Sequence, residues 1–255
     1  MAADASTPSA AADGQNNVFI TWAEGGKIYL SKYDAAGNCL VGSGEGNGGV
    51  ACPVGSPSKI LDTALASTPS IAVDPSGNVL VTWYHGSTVS GTVLAQRCNN
   101  SLTSCTVVYN PSCSNGQGSQ AVSCPPAWPP NVQAAMLPTV ATDKSGSIVA
   151  AWQANVNDPT QAIWNAFARS FDSTLMAKKN DFRVDLTPRA AAARSVGVAR
   201  ARSECVGGAN QNRACRFDSD CPGSTCQSSG RFPYAWRDNR DGSYNIYTRV
   251  VPSLD

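Results

Sequence analysis

Apolar residues alternate with small or polar residues along several short stretches of the chain. One such stretch has its apolar positions at Ile71, Val73, Val79, Val81 and Trp83. Alternation with a period of two is typical of a β-strand that buries one side. The intervening Asp74–Gly77 segment carries turn residues, because Asp can bond the backbone two residues on and Gly accepts a positive φ. The pattern therefore predicts a β-hairpin.

The same hairpin pattern recurs with fixed spacing. A proline stands 14 residues before a tryptophan in three copies, at Pro8, Pro69 and Pro138. The aspartates Asp13, Asp74 and Asp143 stand 9 residues before the same tryptophans, which are Trp22, Trp83 and Trp152. A fourth copy begins at Ser195–Ala199 and resumes at Phe232–Trp236 after a Cys-rich insertion. Self-similarity at this period indicates a repeat architecture.

Each repeat is expected to add outer strands to its hairpin. Third strands are predicted at 27–33, 92–98, 162–171 and 244–251, and fourth strands at 58–62 and 181–185. Four-stranded units repeated around a circle form a β-propeller. We therefore predict an all-β single domain over residues 1–255 with about four four-stranded blades. The expected blades are at about 6–66, 67–136, 137–190 and 191–255, with the Cys-rich insertion at 203–230.

Two segments carry a family resemblance. Residues 71–83 resemble repeats of secreted bacterial β-propellers, and residues 235–247 are similar to the Trp-x-Asp-x-Arg-x-Gly-x-x-x-Ile-Tyr motif of TolB-like and related propellers. The same repeats also resemble those of sialidase-like propellers. The Cys-rich insertion resembles small disulfide modules of secreted bacterial proteins. The resemblance implies the fold more than a function, because propellers host binding, lyase, hydrolase and scaffold roles.

The cysteines indicate an oxidising compartment. They fall into compact groups: Cys39 and Cys52; Cys98, Cys105, Cys113 and Cys124; Cys205, Cys215, Cys221 and Cys226. An even number in local groups favours disulfides. Zinc is the alternative, but the chain has no Cys-x2-Cys knuckle and a single histidine, His85. We expect disulfides and a secreted or cell-surface protein; three pairings of the last group stay open.

Charge and hydropathy exclude two classes of partner. The chain has 19 basic and 18 acidic residues and a net charge of +1, so nucleic acid is not expected as a partner. No apolar run reaches the roughly 18 residues that a membrane-spanning helix needs. The segment Met1–Asp13 lacks the charged and apolar regions of a signal peptide, so a secreted form would be a mature chain.

The Cys-rich insertions are expected on one side of the sheets. They fall between the third and fourth strands of repeats one and two, and between the first two strands of repeat four. In an antiparallel blade those connections emerge on the same face. The last repeat ends after its third strand, which leaves an open edge that could be closed by the N-terminus, by another molecule or by further repeats.

Two tryptophans depart from the repeat pattern and are candidates for ligand binding. Trp128 lies in the proline-rich loop 125–130, where it could present an aromatic platform or pin its own loop. Trp164 is the second. Arg237 and Arg240 complete the predicted ligand-binding set. The tryptophans at the repeat position are instead expected to pack between blades.

A second set of residues suggests a metal. Asp238, Asn239 and Asp241 offer oxygen ligands of the type that Ca²⁺ prefers, although they do not match EF-hand spacing, and a polar turn explains them equally. Otherwise no cofactor is expected.

A glycan-active enzyme of sialidase type would require clustered arginines beside a tyrosine. The candidates are Arg97, Arg169, Arg194, Arg237, Arg240 and Arg249. The Asp-box spacing of sialidases is not intact, and His85 has no evident partner in sequence. No catalytic motif is recognised.

These observations favour a non-catalytic secreted or cell-surface propeller that binds a glycan or a protein. One alternative is a self-assembling surface protein that shares strands through the incomplete last repeat. The other alternative is the sialidase-like, glycan-active enzyme.

Overall fold

The computed structural model describes residues 5–42, 52, 58–87, 90–106, 108, 132–158, 161–173, 175, 182–184, 194–199, 203–215, 218–238, 243 and 245–252. Regular structure within these ranges is β-strand, apart from one three-residue 3-10 turn at Asp218–Asp220. None of the described segments forms a helix long and apolar enough to cross a bilayer. The all-β prediction is confirmed.

The described strands form four main antiparallel sheets that follow one another along the chain. Sheet 1 contains β1 (Ser6–Ala12), β2 (Val18–Glu24), β3 (Lys27–Tyr33), β4 (Cys39–Val41) and β5 (Lys59–Asp62). Sheet 2 contains β6 (Ala66–Val73), β7 (Val79–Ser87) and β8 (Ser90–Cys98). Sheet 3 contains β9 (Val132–Thr142), β10 (Ile148–Asp158), β11 (Gln161–Phe171) and β12 (Phe182–Arg183). Sheet 4 contains β13 (Arg194–Val198), β16 (Arg231–Asp238) and β17 (Asn245–Pro252), and a small fifth sheet pairs β14 (Ser203–Val206) with β15 (Thr225–Ser228).

The outer edge of sheet 1 differs from the prediction. Two short strands share this edge: β4 pairs with the end of β3 (Lys32 opposite Val41), and β5 pairs with its beginning (Ile28 opposite Asp62). The first insertion therefore interrupts the outer strand, whereas the sequence placed it before that strand. The reason is that Cys39 and Val41 continue the ladder along β3 before the chain leaves the sheet.

The hairpin turns have the chemistry that the sequence predicts. In each of the turns that begin at Asp13, Asp34, Asp74 and Asp143, one carboxylate oxygen accepts the backbone N–H groups two and four residues on, at 2.8–2.9 Å. The glycines Gly77 and Gly146 have φ values of 81° and 86°, which a residue with a Cβ adopts only with strain. These bonds satisfy turn N–H groups that leave the strand ladder.

Successive sheets pack face to face, and a tryptophan lies in each of the three resulting interfaces. Trp83 packs between sheets 1 and 2, Trp152 between sheets 2 and 3, and Trp236 between sheets 3 and 4. All three are buried, while Trp22, on the far side of sheet 1, is half-buried and stacks on Tyr29 with ring centroids 5.4 Å apart. The positions of Trp83, Trp152 and Trp236 support the packing role expected from the repeat, whereas Trp22 lies outside these core clusters and departs from it.

Asn100 ties the turns of sheets 1 and 2 together. Its side-chain N–H group donates to Asp13 Oδ2 and to the Gly77 carbonyl, both at 2.9 Å. Burial raises the pKa of Asp13, but the hydrogen bonds from Asn17 and Asn100 outweigh it and hold the pKa below its usual value of 3.8. The loop after β8 therefore lies at the same end of the sheets as the hairpin turns.

The disulfide prediction is confirmed for the cysteines in the described residues. The bonds are Cys39–Cys52, Cys98–Cys105, Cys205–Cys221 and Cys215–Cys226. The last two resolve the pairing that the sequence left open. Cys113 and Cys124 lie outside the described residues.

Residues 203–228 form the disulfide module, which is built on β14 and β15. Because its side chains form too small an apolar core, the two disulfides take over much of the ordering of this segment. The module lies on the hairpin turn of sheet 3: Lys144 Nζ donates to the Cys226 carbonyl at 3.0 Å, and Ser228 Oγ donates to Asp143 Oδ2 at 2.8 Å.

Candidate functional site

The first strands of the four main sheets line one shared cavity, here called the axial cavity. Its wall is formed by residues 7–9, 68–70 and 137–139, together with Val196, and its volume is about 330 Å³. The first three segments are the recurring Thr-Pro-Ser or Leu-Pro-Thr positions of the repeat. The cavity lies in the size range of small-ligand sites in proteins. Its described wall carries hydroxyl groups and apolar side chains.

Backbone strain recurs at this cavity. Thr7, Thr68 and Leu137 have φ values of 50°, 47° and 50°, and each stands directly before a proline. A positive φ at a β-branched or bulky residue is a genuine outlier that costs on the order of 1–3 kcal/mol. A bulge accompanies the strain, since the register shifts at the same place in β1 and β6. Such strain clusters at ligand sites, so its repetition here marks the axial cavity as a candidate.

Asp62 and His85 form a hydrogen-bonded pair between sheets 1 and 2. The Nδ1 atom of His85 lies 2.8 Å from Asp62 Oδ2, and the indole N–H of Trp83 donates to the same oxygen at 2.7 Å. The side chains of His85 and Asp62 are 23% and 11% exposed, so the pair is sheltered and still reachable from solvent. Trp83 holds the carboxylate, and the carboxylate orients the imidazole ring.

The tautomer of His85 follows from its partner. An ionised carboxylate only accepts hydrogen bonds, so Nδ1 carries the proton in this contact. In the neutral ring, Nε2 is then the nitrogen with a free lone pair. This arrangement of a carboxylate behind an imidazole is the one that general acid–base catalysis uses to hold a histidine in a productive orientation.

The pair lies at one end of sheet 2, close to the residues of β6 that line the axial cavity. His85 is opposite Ala66 in the ladder between β7 and β6. Thr68, in the wall of the axial cavity, follows Ala66 by two residues along the same strand. The Asp62–His85 pair and the strained cavity wall therefore share one end of the sheets, opposite the hairpin turns.

The corresponding position in the other sheets shows why this pair is unusual. Two residues after the tryptophan, sheet 1 has Glu24 and sheet 4 has Asp238, which accept the indole N–H of their own tryptophans at 3.2 and 3.4 Å. Sheet 3 has Ala154 there, and the buried Nε1 of Trp152 has no hydrogen-bond partner in the described part of the chain. Only in sheet 2 does a histidine occupy the position, so the carboxylate comes from the preceding sheet.

Tyr84 follows Trp83 and points to the other side of β7. Burial raises the pKa of its phenol above the usual value of 10.0, so Tyr84 stays neutral at a pH at which an exposed tyrosine ionises. Its ring covers Gly91, where a Cβ atom would lie 2.2 Å from the phenol oxygen. Tyr84 is therefore suited to packing and hydrogen bonding, and poorly suited to act as an ionised nucleophile.

The predicted ligand-binding and metal residues are only partly described. Trp128, Arg240, Asn239 and Asp241 lie outside the described residues. Trp164 is half-buried on β11 of sheet 3, and Arg237 is exposed on β16 of sheet 4. Asp238 is buried and accepts the Trp236 indole N–H. Calcium binding and ligand binding by these residues stay predictions.

The arginines serve different parts of the structure. Arg97 donates to Asp74 Oδ2 at 2.7 Å beside a hairpin turn, Arg169 is buried in β11, and Arg249 donates to the Val184 carbonyl at 3.2 Å. They lie in three different sheets. Arg249 is opposite Tyr234 in the β16–β17 ladder, whereas Arg97 and Arg169 lie in other sheets. The convergence of three arginines on a tyrosine stays a prediction.

No protein-family model and no curated protein matches the sequence. Solved structures match in fold. The Hadza microbial sialidase Hz136 matches with a TM-score of 0.52 and 12% identity, covering 96% of this chain and 44% of that one. The α-L-arabinanase of Penicillium chrysogenum, solved with arabinobiose, matches with a TM-score of 0.53 and 11% identity, covering 97% and 62%. The chain thus spans less than two thirds of either protein, and the likeness shows a propeller-type fold.

The comparisons correct the main functional expectation. We predicted a non-catalytic binding propeller, but the matched propellers are a sialidase and an arabinanase, so that prediction is wrong and the glycan-active alternative agrees better. The physical reason is that a missing catalytic motif is weak grounds for excluding an enzyme. Asp62 and His85 are 23 residues apart in different sheets and meet only in the folded chain.

Proposed function

We propose that this chain is part of an extracellular, glycan-active propeller enzyme in which the Asp62–His85 pair transfers a proton. The hydrogen bond between Asp62 Oδ2 and His85 Nδ1 carries the proposal. The fold likeness to a sialidase and an arabinanase supports the glycan class. The disulfides support an oxidising, extracellular location.

The proposed chemistry is general acid–base catalysis at a glycosidic bond. The Nε2 atom of His85 takes a proton from a water molecule as the water oxygen bonds to the anomeric carbon and the bond from that carbon to the leaving oxygen breaks. The same proton is then returned from Nε2 to the leaving oxygen. Asp62 stabilises the imidazolium that forms meanwhile, because its negative charge lies 2.8 Å from the ring nitrogen. Trp83 keeps the carboxylate oriented and is a positioning residue.

The axial cavity is the proposed place for a sugar residue. Its volume of about 330 Å³ accommodates one sugar ring with its hydroxyl groups. The hydroxyls of Thr7, Ser9 and Thr139, which belong to the cavity wall, can exchange hydrogen bonds with those of a sugar.

The four main sheets are proposed to be four blades around the axis of this cavity. Residues from the first strand of every sheet line it, as inner strands of blades do. In this arrangement Asp62 and His85 belong to neighbouring blades, which places the pair in the groove between them.

The proposal is tested by glycan cleavage with matched variants. Reducing-end release is measured on arabinan, xylan and sialylated oligosaccharides. His85→Gln removes the proton-transferring nitrogen and is expected to lower kcat/KM by about 10²–10⁴-fold, the usual contribution of a general acid or base. Asp34→Asn, at an exposed turn on the other end of sheet 1, is the control and is expected to keep full activity. Wild-type activity that survives in His85→Gln would overturn the proposed role.

A further inference from the structure

A second cavity, of about 490 Å³, lies between the hairpin turn of sheet 3 and the disulfide module. We call it the module cavity. It is at the end of the sheets opposite the Asp62–His85 pair, because hairpin turns and the loops after second strands emerge at opposite ends. Its wall includes Ser145, Ser147, Gln227 and Ser229. The proposed catalytic function makes no use of it.

One residue of the cavity wall differs from its counterparts in the other hairpin turns. In the hairpin turns of sheets 1 and 2, Asn17 and Asn78 stand four residues after the aspartate, and their side-chain N–H groups donate to its second oxygen at 2.7 and 3.1 Å. Sheet 3 has Ser147 at that position. Serine is shorter, so the second oxygen of Asp143 accepts Ser228 Oγ of the module instead. Ser228 Oγ therefore takes the place on the aspartate that the asparagine amide has in sheets 1 and 2, and the module is joined to the turn there.

The charges of the cavity wall are held in place by hydrogen bonds. Asp143 accepts from the backbone N–H groups of Ser145 and Ser147, from Ser145 Oγ and from Ser228 Oγ, and it is buried. The Lys144 ammonium group donates to the Cys226 carbonyl. One negative and one positive group adjoin each other, so the wall carries no net charge that would select an ion.

We propose that the module cavity binds a neutral saccharide. Ser145 and Ser228 donate their hydroxyl hydrogens to Asp143, so their oxygens offer a ligand acceptors. The Ser229 hydroxyl can donate, and the Gln227 amide can donate and accept, so the wall offers both donors and acceptors to a sugar. A volume of about 490 Å³ holds more than one sugar ring. The disulfides Cys205–Cys221 and Cys215–Cys226 fix the module side of the wall, which reduces the ordering cost of binding.

This site would hold a glycan chain away from the catalytic end. It does not depend on the proposed proton transfer, since the two cavities share no described residue. The module would then contact the saccharide from one side and the sheet 3 turn from the other.

The test is a titration of the full chain followed by NMR. The probes are xylotriose and arabinotriose, with trigalacturonate as the anionic counterpart. The expected result is that the backbone amide signals of Gln227, Ser229 and Gly230 shift with at least one neutral trisaccharide. The expected affinity is in the millimolar range, because the described wall offers no aromatic ring for stacking.

Three variants make the test specific. Ser147→Asn restores the asparagine–aspartate bond that the turns of sheets 1 and 2 already use, so it should fold, displace Ser228 of the cavity wall from Asp143 and weaken binding by at least about tenfold. Ser76→Asn, at an exposed turn position of sheet 2, is the matched control and should bind normally. His85→Gln should also bind normally, which separates this site from the catalytic proposal.

Several results would overturn the proposal. One is that neither neutral trisaccharide shifts the amide signals of the module cavity. A second is that Ser147→Asn binds the trisaccharide as tightly as the wild-type chain does. A third is that trigalacturonate is the one probe that binds. If His85→Gln shows the same trisaccharide-induced shifts at Gln227 as the wild-type chain, saccharide binding at the module cavity is supported, whether or not His85→Gln loses glycan cleavage.

Discussion

At the scale of single residues, one position in the repeat sets the chemistry. Two residues after each repeat tryptophan, the chain has Glu24, His85, Ala154 and Asp238. Glu24 and Asp238 each accept a hydrogen bond from the indole N–H of the tryptophan in their own sheet, so these acids serve a structural contact. Histidine at this position cannot replace the acid as an acceptor while it donates from Nδ1, so Asp62 is recruited from sheet 1. The result is an oriented imidazole opposite Ala66, on the strand that continues into the wall of the axial cavity.

The contact between Tyr84 and Gly91 gives a prediction at this scale. Gly91→Ala would place a methyl group 2.2 Å from the Tyr84 phenol oxygen, inside van der Waals contact. The ring must move, and the free energy of unfolding is expected to fall by about 1–3 kcal/mol, as for other overpacked sites. Urea denaturation followed by tryptophan fluorescence measures it.

Gly14→Ala is the matched control for this change. A Cβ atom at Gly14 would meet nothing within 4 Å. Its free energy of unfolding should stay within about 0.5 kcal/mol of wild type, as is usual for surface substitutions. Equal effects of the two alanines would show that Tyr84 does not pack on Gly91 as described.

The sequence reveals some of these residues and hides others. Trp83 and Asp74 are evident because they recur at fixed offsets and their roles are local to one hairpin. The Asp62–His85 pair is hidden, since its members lie 23 residues apart and meet only through the packing of sheet 1 on sheet 2. The alternation pattern carries no information on how one sheet is placed against the next.

At the scale of elements, strands are predictable here because period-two alternation and turn residues agree. The predicted third strand at 27–33 coincides with β3, and the one at 92–98 lies within β8. The divided outer edge of sheet 1 is not predictable, because β4 has only three residues and gives too short a pattern. The pairing of the module cysteines likewise depends on the three-dimensional course of β14 and β15.

The interface between sheets 3 and 4 gives a prediction on pH. Burial raises the pKa of Tyr234 well above its usual value of 10.0, and the charge of Arg249 only partly offsets this. The folded chain therefore favours the neutral phenol. Its contribution to stability is complete below pH 10 and is lost as pH rises through the range between the unfolded and folded pKa values.

Tyr234→Phe removes this ionisation. Each protein is compared with itself, by urea denaturation at neutral pH and about one unit above pH 10, the usual pKa of tyrosine. The wild-type chain is expected to lose more unfolding free energy between the two conditions than the variant does. The neutral-pH value of the variant accounts for any lost hydrogen bond. An identical pH dependence in both proteins would contradict a buried, neutral Tyr234.

At the scale of the whole molecule, the two ends of the sheets carry different structural features. The end with the hairpin turns carries the disulfide module, and the other end carries the Asp62–His85 pair beside the strained strands of the axial cavity. The repeat in the sequence predicts the propeller-type architecture, because each sheet can bury its faces only against its neighbours. The functional expectation relied on linear motifs, whereas the Asp62–His85 pair, which carries the proposed function, is assembled between sheets.

The most direct measurement is a double-mutant cycle on kcat/KM for glycan cleavage, with Asp62→Asn, His85→Gln and the double variant. Melting temperatures confirm that each protein is folded. If Asp62 acts through His85, the double variant is no slower than His85→Gln alone, because the second change removes the orientation of a group already lost. Losses that multiply, or a fully active His85→Gln, would contradict a proton-transferring pair at this site.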